Sequence, residues 1–277
     1  VIFAQQKSKT SRMVSFKNRL VLITGATSGI GKAITMQLAK EGANLIIADI
    51  NEVELAKTQI ECKKYTSFCE TITFDLSNPN DVTKAASTVL EKYGPVFLLI
   101  NNGGISQRSL AHETPIEIDR KIMEIDFFSY VVLTKALLPS MIERKEGYIA
   151  VTSSLSGKFG FHLRSSYSAA KHALQGYYET LRMELRPHNI SVTIAYPGSI
   201  NTSISINAIE KDGSKHGVMD PAQNNGMSAE TCAKHYIRAV KKGKVEVLIG
   251  GKEFIMFHLK RFFPRLFFKL ILKIKAT

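Results

Sequence analysis

Leu20-Val21-Leu22-Ile23-Thr24-Gly25-Ala26-Thr27-Ser28-Gly29-Ile30-Gly31 is the stretch that decides how this chain is read. Residues 20–23 are uniformly apolar and form a short buried strand. Glycines follow at 25, 29 and 31, and a helical pattern then runs over 33–41. A strand that breaks into a glycine-rich turn and resumes as a helix lets the backbone approach a pyrophosphate. The start of the helix adds free N–H groups and partial positive charge for that anion. A glycine triplet alone is a weak signal; its place between strand and helix gives it weight.

The same alternation continues downstream. Strands are expected at 44–49, 71–74, 96–100, 147–151, 191–195 and 245–249, with helices at 53–63, 80–92, 115–143 and 167–186. Continuous apolar strands alternating with helices make a parallel sheet covered on both faces. The fold class is therefore α/β, a Rossmann-type doubly wound parallel sheet with helices on both faces. No repeat or linker interrupts 18–251, which reads as a single domain. Residues 1–17 read as a solvated leader, and 252–277 as a basic amphipathic helical extension. The segment 203–228 is polar and weakly periodic, as a lid or binding loop would be.

Composition narrows the function classes. The chain is 44% hydrophobic and 22% charged, which suits a globular domain with a large core. Its net charge of +13 sits at the ends: +5 in residues 1–19 (Lys7, Lys9, Arg12, Lys17, Arg19) and +6 in 252–277, leaving about +2 on the body. A nucleic-acid partner would need a basic face on the folded body, so none is expected. Cys62, Cys69 and Cys232 are too few and too irregularly spaced for a disulfide framework or a zinc site, and suit a reducing, cytoplasmic compartment. The first twelve residues lack the apolar run and cleavage site of a secretory signal, and Met13 is a candidate start. No run of about 18 uncharged apolar residues is present, so no spanning helix is expected.

Two further patterns carry chemistry. Asp49 ends the second strand, 18 positions after Gly31. An acidic side chain there accepts hydrogen bonds from adenosine ribose hydroxyls and repels a 2′-phosphate. No Lys or Arg stands at 50–51 to receive such a phosphate, which points to NAD rather than NADP. Tyr167-Ser168-Ala169-Ala170-Lys171 places a phenol and an ammonium on one face of a helix. A free phenol is a poor base at neutral pH, and an adjacent ammonium favours its phenolate, making a workable general acid/base.

These motifs occur in order with Asn101-Asn102-Gly103-Gly104, Ser153-Ser154, Pro197-Gly198 and Thr202. Over residues 18–250 the set resembles the short-chain dehydrogenase/reductase family. The stretches 102–109 and 129–134 are most similar to the 11β-hydroxysteroid dehydrogenases and the dehydrogenase/reductase member 7 group. The resemblance implies an NAD(P)-dependent oxidoreductase acting on CH–OH groups. It also implies a homodimer or homotetramer built on helices near 115–143 and 165–188. Tyr167 would pass a proton to or from the substrate oxygen, and Lys171 would also bind the nicotinamide ribose. Ser154, thirteen residues before Tyr167, would hydrogen-bond the substrate oxygen in preference to Ser153. Gly25, Thr27, Ser28, Gly29, Ile30 and Gly31 would form the pyrophosphate loop, and Asp75 with Leu76 would contact adenine. Asn102, Gly103 and Gly104 would line the cofactor, while Pro197, Gly198, Ile200 and Thr202 would cover its nicotinamide end. One position departs from the family. A helix Asn often holds a water near the active-site Lys, and here that position is Asp126, a carboxylate that accepts but cannot donate as an amide does.

Phe159, Phe161, Leu163, Ile204 and Ile206 offer an apolar wall, which suits a lipophilic alcohol or ketone such as a steroid, retinoid or long chain. NAD use points to alcohol oxidation as the direction. The alternative is a non-catalytic Rossmann-fold scaffold, against which the intact Ser154, Tyr167 and Lys171 argue. In the C-terminal extension, Arg261, Arg265, Lys269 and Lys273 recur every four positions. Opposite them lie Leu259, Phe262, Phe263, Leu266, Phe267, Leu270, Ile271 and Ile274, with Pro264 either kinking the helix or starting a second piece. This is the pattern of a helix lying in a membrane interface. Packing on its own domain or on a partner subunit is the alternative.

Overall fold

The apolar runs assemble into one sheet in the computed structural model, which describes residues 13–273. The strands in chain order are β1 (Leu20–Thr24), β2 (Asn44–Asp49), β3 (Cys69–Thr73), β4 (Leu98–Asn101), β5 (Gly147–Thr152), β6 (Ile190–Pro197), the two-residue β7 (Ile200–Asn201) and β8 (Met227–Ser228), and β9 (Glu246–Ile249). Seven of them form a parallel sheet in the order β3-β2-β1-β4-β5-β6-β9, while β7 and β8 pair separately. Strand order reverses at β1 and β4. The crevice outside the carboxyl ends of the strands at such a switch point is where ligands of this architecture bind.

Helices α1 (Gly29–Lys40), α2 (Glu52–Cys62), α3 (Pro79–Tyr93), α4 (Ile116–Met123), α5 (Ser129–Arg144), α6 (Ser165–Leu185), α7 (Pro221–Asn224), α8 (Ala229–Lys241), α9 (Phe254–Phe262) and α10 (Pro264–Ile271) surround the sheet. Side chains alternate across β1. Val21 and Ile23 pack with Ile34, Leu38 and the α8 residues Tyr236 and Ile237. Leu22 points the other way, into a layer with Val82, Leu133, Leu137 and Leu174. Both faces are buried, which is why the strands read as unbroken apolar runs.

Local chemistry explains the helix boundaries. Asn78 caps α3 by accepting from the N–H groups of Asn80 and Asp81, and Pro79 takes the first helical position. Helix α1 begins at Gly29, earlier than residue 33, because apolar periodicity is invisible across Gly-Ile-Gly-Lys. The stretch expected as one helix over 115–143 is two α-helices joined by a π turn at Glu124–Phe128, and Asp126 within that turn is wholly buried.

Two expectations change, and one left open is resolved. Phe16, placed by sequence in the leader, is buried and packs edge-on against Phe97 and Tyr148. Among the described residues one helix, Ile116–Arg144, is long and apolar enough to cross a membrane by length and composition, where the count of uncharged runs gave none. Its Leu133, Leu137 and Met141 are buried in the core. The C-terminal extension breaks at Phe263, so Pro264 starts a second helix. Its Phe267 turns inward onto Phe159, whereas Phe262, Phe263 and Phe268 are exposed. Lys7, Lys9, Arg12 and Met13's preceding residues, with Ile274 and Lys275, lie outside the described residues.

Phe16→Ala is expected to cost about 3 kcal/mol, the usual loss for a buried aromatic truncated to Ala. It should be read as a lower urea midpoint. A residue of a solvated leader would leave that midpoint unchanged.

Candidate active site

Loops leaving β1, β4, β5 and β6 converge at the switch point around a cavity of about 490 Å³. Gly25, Ser28, Gly29 and Ile30 line it from the loop after β1, and Asn102, Gly103 and Gly104 from the loop after β4. Ser154 follows β5, and Pro197, Gly198, Ile200 and Thr202 follow or end β6. Tyr167 and Lys171 enter from α6, and Asp126 from the π turn. Thr27, Gly31, Asp49, Asp75 and Leu76 are not in this wall.

The glycines are there for close approach. Gly25 has φ +64°, and a Cβ on it would lie 2.6 Å from Gly103 Cα. A Cβ on Gly31 would lie 1.9 Å from the Gly25 carbonyl oxygen, so Gly31 serves the seat of α1 on the turn rather than the cavity surface. A Cβ on Gly103 would lie 2.7 Å from Leu76 Cδ1, which places Leu76 directly behind the lining. Thr24 Oγ1 accepts from the backbone N–H groups of Asn102 and Gly103, both at 3.0 Å. Thr152 Oγ1 donates to Asn102 Oδ1 at 3.1 Å, so Asn102 braces three loops together. Ser28 makes no side-chain cap on α1, which leaves the first amides of that helix without a side-chain acceptor. This cradle fits a diphosphate.

Asp49 stands beside the glycine loop. Its Oδ2 accepts from Thr27 Oγ1 at 2.7 Å, and its Oδ1 from the N–H groups of Ile50 and Asn51. Asp75 Oδ1 accepts from the Ser77 N–H at 2.8 Å, which fixes the turn after β3.

At the other end of the cavity, α6 buries Tyr167 and Lys171 on one face. Lys171 Nζ lies 5.5 Å from the Tyr167 ring centroid and 5.3 Å from that of Tyr130. It donates to the Thr152 carbonyl at 3.3 Å and pairs with Asp126 Oδ2 at 3.4 Å. Asp126 Oδ1 accepts from the Ile105 N–H at 2.8 Å. Burial pushes the Asp126 carboxyl up from the usual carboxylate range, against the downward pull of the Lys171 ammonium. Both serines line the cavity, but they are held differently. Ser153 is buried and donates to the Lys171 carbonyl at 3.0 Å, supporting the helix. Ser154 faces the cavity, and its oxygen accepts from the Ser156 N–H at 3.1 Å.

The apolar wall is only partly as expected. Phe159, Phe161 and Ile204 line the cavity, with Met256 of α9, but Leu163 and Ile206 do not. Leu163 instead takes φ +62° in the turn before α6. Sequence reading missed an ion cluster in the same wall. Asp220, from the 203–228 segment, pairs with Arg108 and, at 3.0 Å, with Arg164; all three side chains are nearly buried. Burial and the neighbouring Arg108 lower Arg164 to about 10. Glu253 Oε1 accepts from the Ser199 N–H at 2.9 Å, tying α9 to the loop after β6. These partners are far apart in sequence and leave no local pattern.

Comparison with known proteins agrees with this fold. A family model described as short chain dehydrogenase matches residues 19–213. A mouse protein named dehydrogenase/reductase SDR family member 7B is 40% identical over 92% of this chain and 80% of its own length. An Anopheles gambiae dehydrogenase/reductase SDR family protein 7-like is 38% identical over 84% and 75%. Among solved structures, a short-chain dehydrogenase/reductase from Burkholderia phymatum in complex with NAD superimposes with TM-score 0.81, at 23% identity over 92% of this chain and 96% of that one. A short-chain dehydrogenase from Streptomyces avermitilis gives TM-score 0.78 at 28% identity over 90% and 96%.

Ser154→Ala and Tyr167→Phe are each expected to reduce turnover by about 10²–10⁴-fold while cofactor binding persists. Ser153→Ala should instead lower the melting temperature and keep turnover within about threefold, because it costs one neutral hydrogen bond. Steady-state rates and thermal melts of the three variants check this. A Ser153 variant more damaged in rate than the Ser154 variant would reverse the assignment.

Proposed function

This chain belongs to the short-chain dehydrogenase/reductase family, and on that premise we propose that it interconverts a secondary alcohol and its ketone or aldehyde on a lipophilic substrate, with NAD as cofactor. The observation that carries the reading is a buried Lys171 with Nζ 5.5 Å from the Tyr167 ring centroid at one end of a cavity whose other end is the glycine loop. The cofactor, when bound, supplies or takes the hydride. The backbone of Gly25–Ile30 would hold its pyrophosphate with Thr27 and Gly31 behind the loop. Asp49 would take the adenosine ribose, and Asp75 with Leu76 the adenine. Asn102, Gly103 and Gly104 would line its path. Lys171 would bind the nicotinamide ribose, with Pro197, Gly198, Ile200 and Thr202 over the ring.

The chain's own residues handle the oxygen. The Ser154 hydroxyl donates to the substrate oxygen, where negative charge develops. The Tyr167 phenol passes the proton to that oxygen in reduction and receives it in oxidation. Lys171, held by Asp126 and the Thr152 carbonyl, fixes the charge beside the phenol. Phe159, Phe161, Ile204 and Met256 support a lipophilic substrate, and a steroid, retinoid or long chain fits that surface. A homodimer or homotetramer through α4, α5 and α6 is the assembly the family resemblance favours.

Phe262, Phe263, Phe268 and Leu272 are exposed on or beside α9 and α10, whose sequence also carries Arg261, Arg265, Lys269 and, just beyond, Lys273. That combination supports peripheral attachment of a cytoplasmic protein to an anionic membrane surface. Phe267, by contrast, secures the extension to the domain.

Calorimetric titration is expected to show NADH binding at least about tenfold more tightly than NADPH, because a 2′-phosphate would face the Asp49 carboxylate. Asp49→Ser should shrink that ratio; equal affinities in the unaltered protein would remove the NAD assignment. In flotation with anionic vesicles, Phe262→Ser/Phe263→Ser should lower recovery with the lipid, and unchanged recovery would exclude membrane attachment through this face.

A further inference from the structure

Helix α6 starts without a cap of its own. Arg164 stands at its N-cap position and supplies no side-chain acceptor. The first bond closed inside the helix runs from the Ser168 N–H to the Arg164 carbonyl at 2.8 Å. The N–H groups of Ser165, Ser166 and Tyr167 must therefore find acceptors elsewhere. The last of these belongs to the residue that carries the phenol. Gln107, from the segment after β4, meets two of them. Its Oε1 accepts from the Ser166 N–H at 2.9 Å and from the Tyr167 N–H at 3.4 Å. Its Nε2 lies 3.1 Å from Ser109 Oγ, 3.2 Å from Thr114 Oγ1 and 3.2 Å from Ser165 Oγ. Chemistry settles which way the amide points. A backbone N–H only donates, so the oxygen faces the helix and the nitrogen faces the hydroxyls. Gln107 is wholly buried and is not part of the cavity wall.

We infer that Gln107 is a positioning residue for proton transfer: it caps α6 from outside the helix and thereby fixes where the Tyr167 hydroxyl stands in the cavity. The inference rests on the reading of Tyr167 as the proton-transfer group. Tyr167 is the third residue of α6, in the turn that frays first when a helix end is left uncapped. Gln107 removes that freedom because its own backbone is tied down. The Ile209 N–H donates to the Ser106 carbonyl at 2.8 Å, and the Arg108 N–H donates to the Ile209 carbonyl at 2.9 Å. The Ser109 N–H donates to the Leu163 carbonyl at 3.2 Å, just ahead of α6. One buried amide thus joins the segment after β4, the 203–228 segment and the first turn of α6. Lys171, one turn further on, has its own partners in the Thr152 carbonyl and Asp126. The Tyr167 end of the pair depends on Gln107. Placement at this precision governs rate, since an error of about 1 Å costs up to about 10²-fold.

Space filling alone does not account for these contacts. Burying an amide costs more than burying an apolar side chain of the same size unless both of its ends are paired, and here both are. The backbone also explains why the cap comes from another segment. Leu163 takes φ +62° and Arg164 takes φ −135° and ψ 39°, so the chain enters α6 through a sharp turn that offers no acceptor of its own to the first amides. Asp119 of α4 adds a second tether, since its Oδ1 accepts from the Ser166 hydroxyl. That bond holds a side chain, whereas Gln107 holds the amides.

The test compares the unaltered protein with Gln107→Met, which keeps the side-chain length and removes the acceptor, and with Gln107→Glu, which keeps an acceptor at a helix start that favours a carboxylate. Gln107→Asn, whose acceptor is set back by one methylene, takes the place of the Met variant should that fail to fold by thermal melt. Hydrogen–deuterium exchange is read on the segment 163–169, and steady-state rates are read with NADH and acenaphthenequinone, a lipophilic carbonyl probe. Exchange at 166 and 167 is expected to quicken at least about tenfold in the Met variant and to stay within about threefold in the Glu variant. Turnover in the Met variant should fall by about 10–100-fold. KM for the probe and NADH affinity by calorimetry should stay within about threefold, and the Glu variant should recover turnover to the same margin. A merely structural role would lower the melting temperature and leave turnover per folded chain in place. Unchanged exchange in a folded Met variant overturns the proposal, and so do equal losses of turnover in the Met and Glu variants. A chain that binds NADH but reduces no ketone counts against the functional reading alone, because the exchange comparison needs no substrate and still upholds or overturns the cap.

Discussion

Lys171 carries a charge that the fold has taken out of water, and such a charge must be met by partners or lost. Here it is met by the Thr152 carbonyl at the end of β5 and by the Asp126 carboxylate in the π turn, with the Tyr130 ring beside it. Each partner comes from a different element. The sheet, the α4–α5 junction and α6 must therefore all be in register before the ammonium is satisfied. That requirement also fixes Tyr167, one turn away on the same helix face. Cavity geometry and proton chemistry thus depend on the same buried charge.

Two segments outside the core sheet complete the wall. Asp220 anchors the 203–228 segment to Arg108 and Arg164, close to the start of α6. Glu253 anchors α9 to the Ser199 N–H, beside the loop that follows β6. Phe267 of α10 adds an edge-on contact to Phe159, 5.3 Å between ring centroids. Helix α9 thus contributes Met256 to the cavity wall and α10 backs Phe159 from behind, while Phe262, Phe263 and Phe268 are exposed.

Local pattern made much of this legible. The strands read from their apolar runs, and the seven-stranded sheet follows from strand–helix alternation. Tyr167 and Lys171 read from helical spacing, and Asp49 from its distance to the glycines. Features that depend on contacts between distant segments did not read. The Asp220 cluster joins residues 56 and 112 positions apart. The π turn has no compositional mark, because Glu-Ile-Asp-Phe-Phe fits an ordinary helix. Phe16 lies among basic residues, and only its tertiary neighbours show it to be core. An amphipathic pattern in α9 and α10 gives an apolar face but not its partner, so the inward turn of Phe267 was invisible. Leu163 and Ile206 show the converse: apolar residues near a site need not face it.

Whether Tyr167 and Lys171 address the reactive end of a nicotinamide cofactor is tested most directly by a crystal structure of the protein with NADH. It should place the nicotinamide ring against the Tyr167 hydroxyl, with Lys171 Nζ hydrogen-bonded to the adjoining ribose. A cofactor whose ring lies away from Tyr167, with Lys171 engaged only by Asp126 and Thr152, would contradict it.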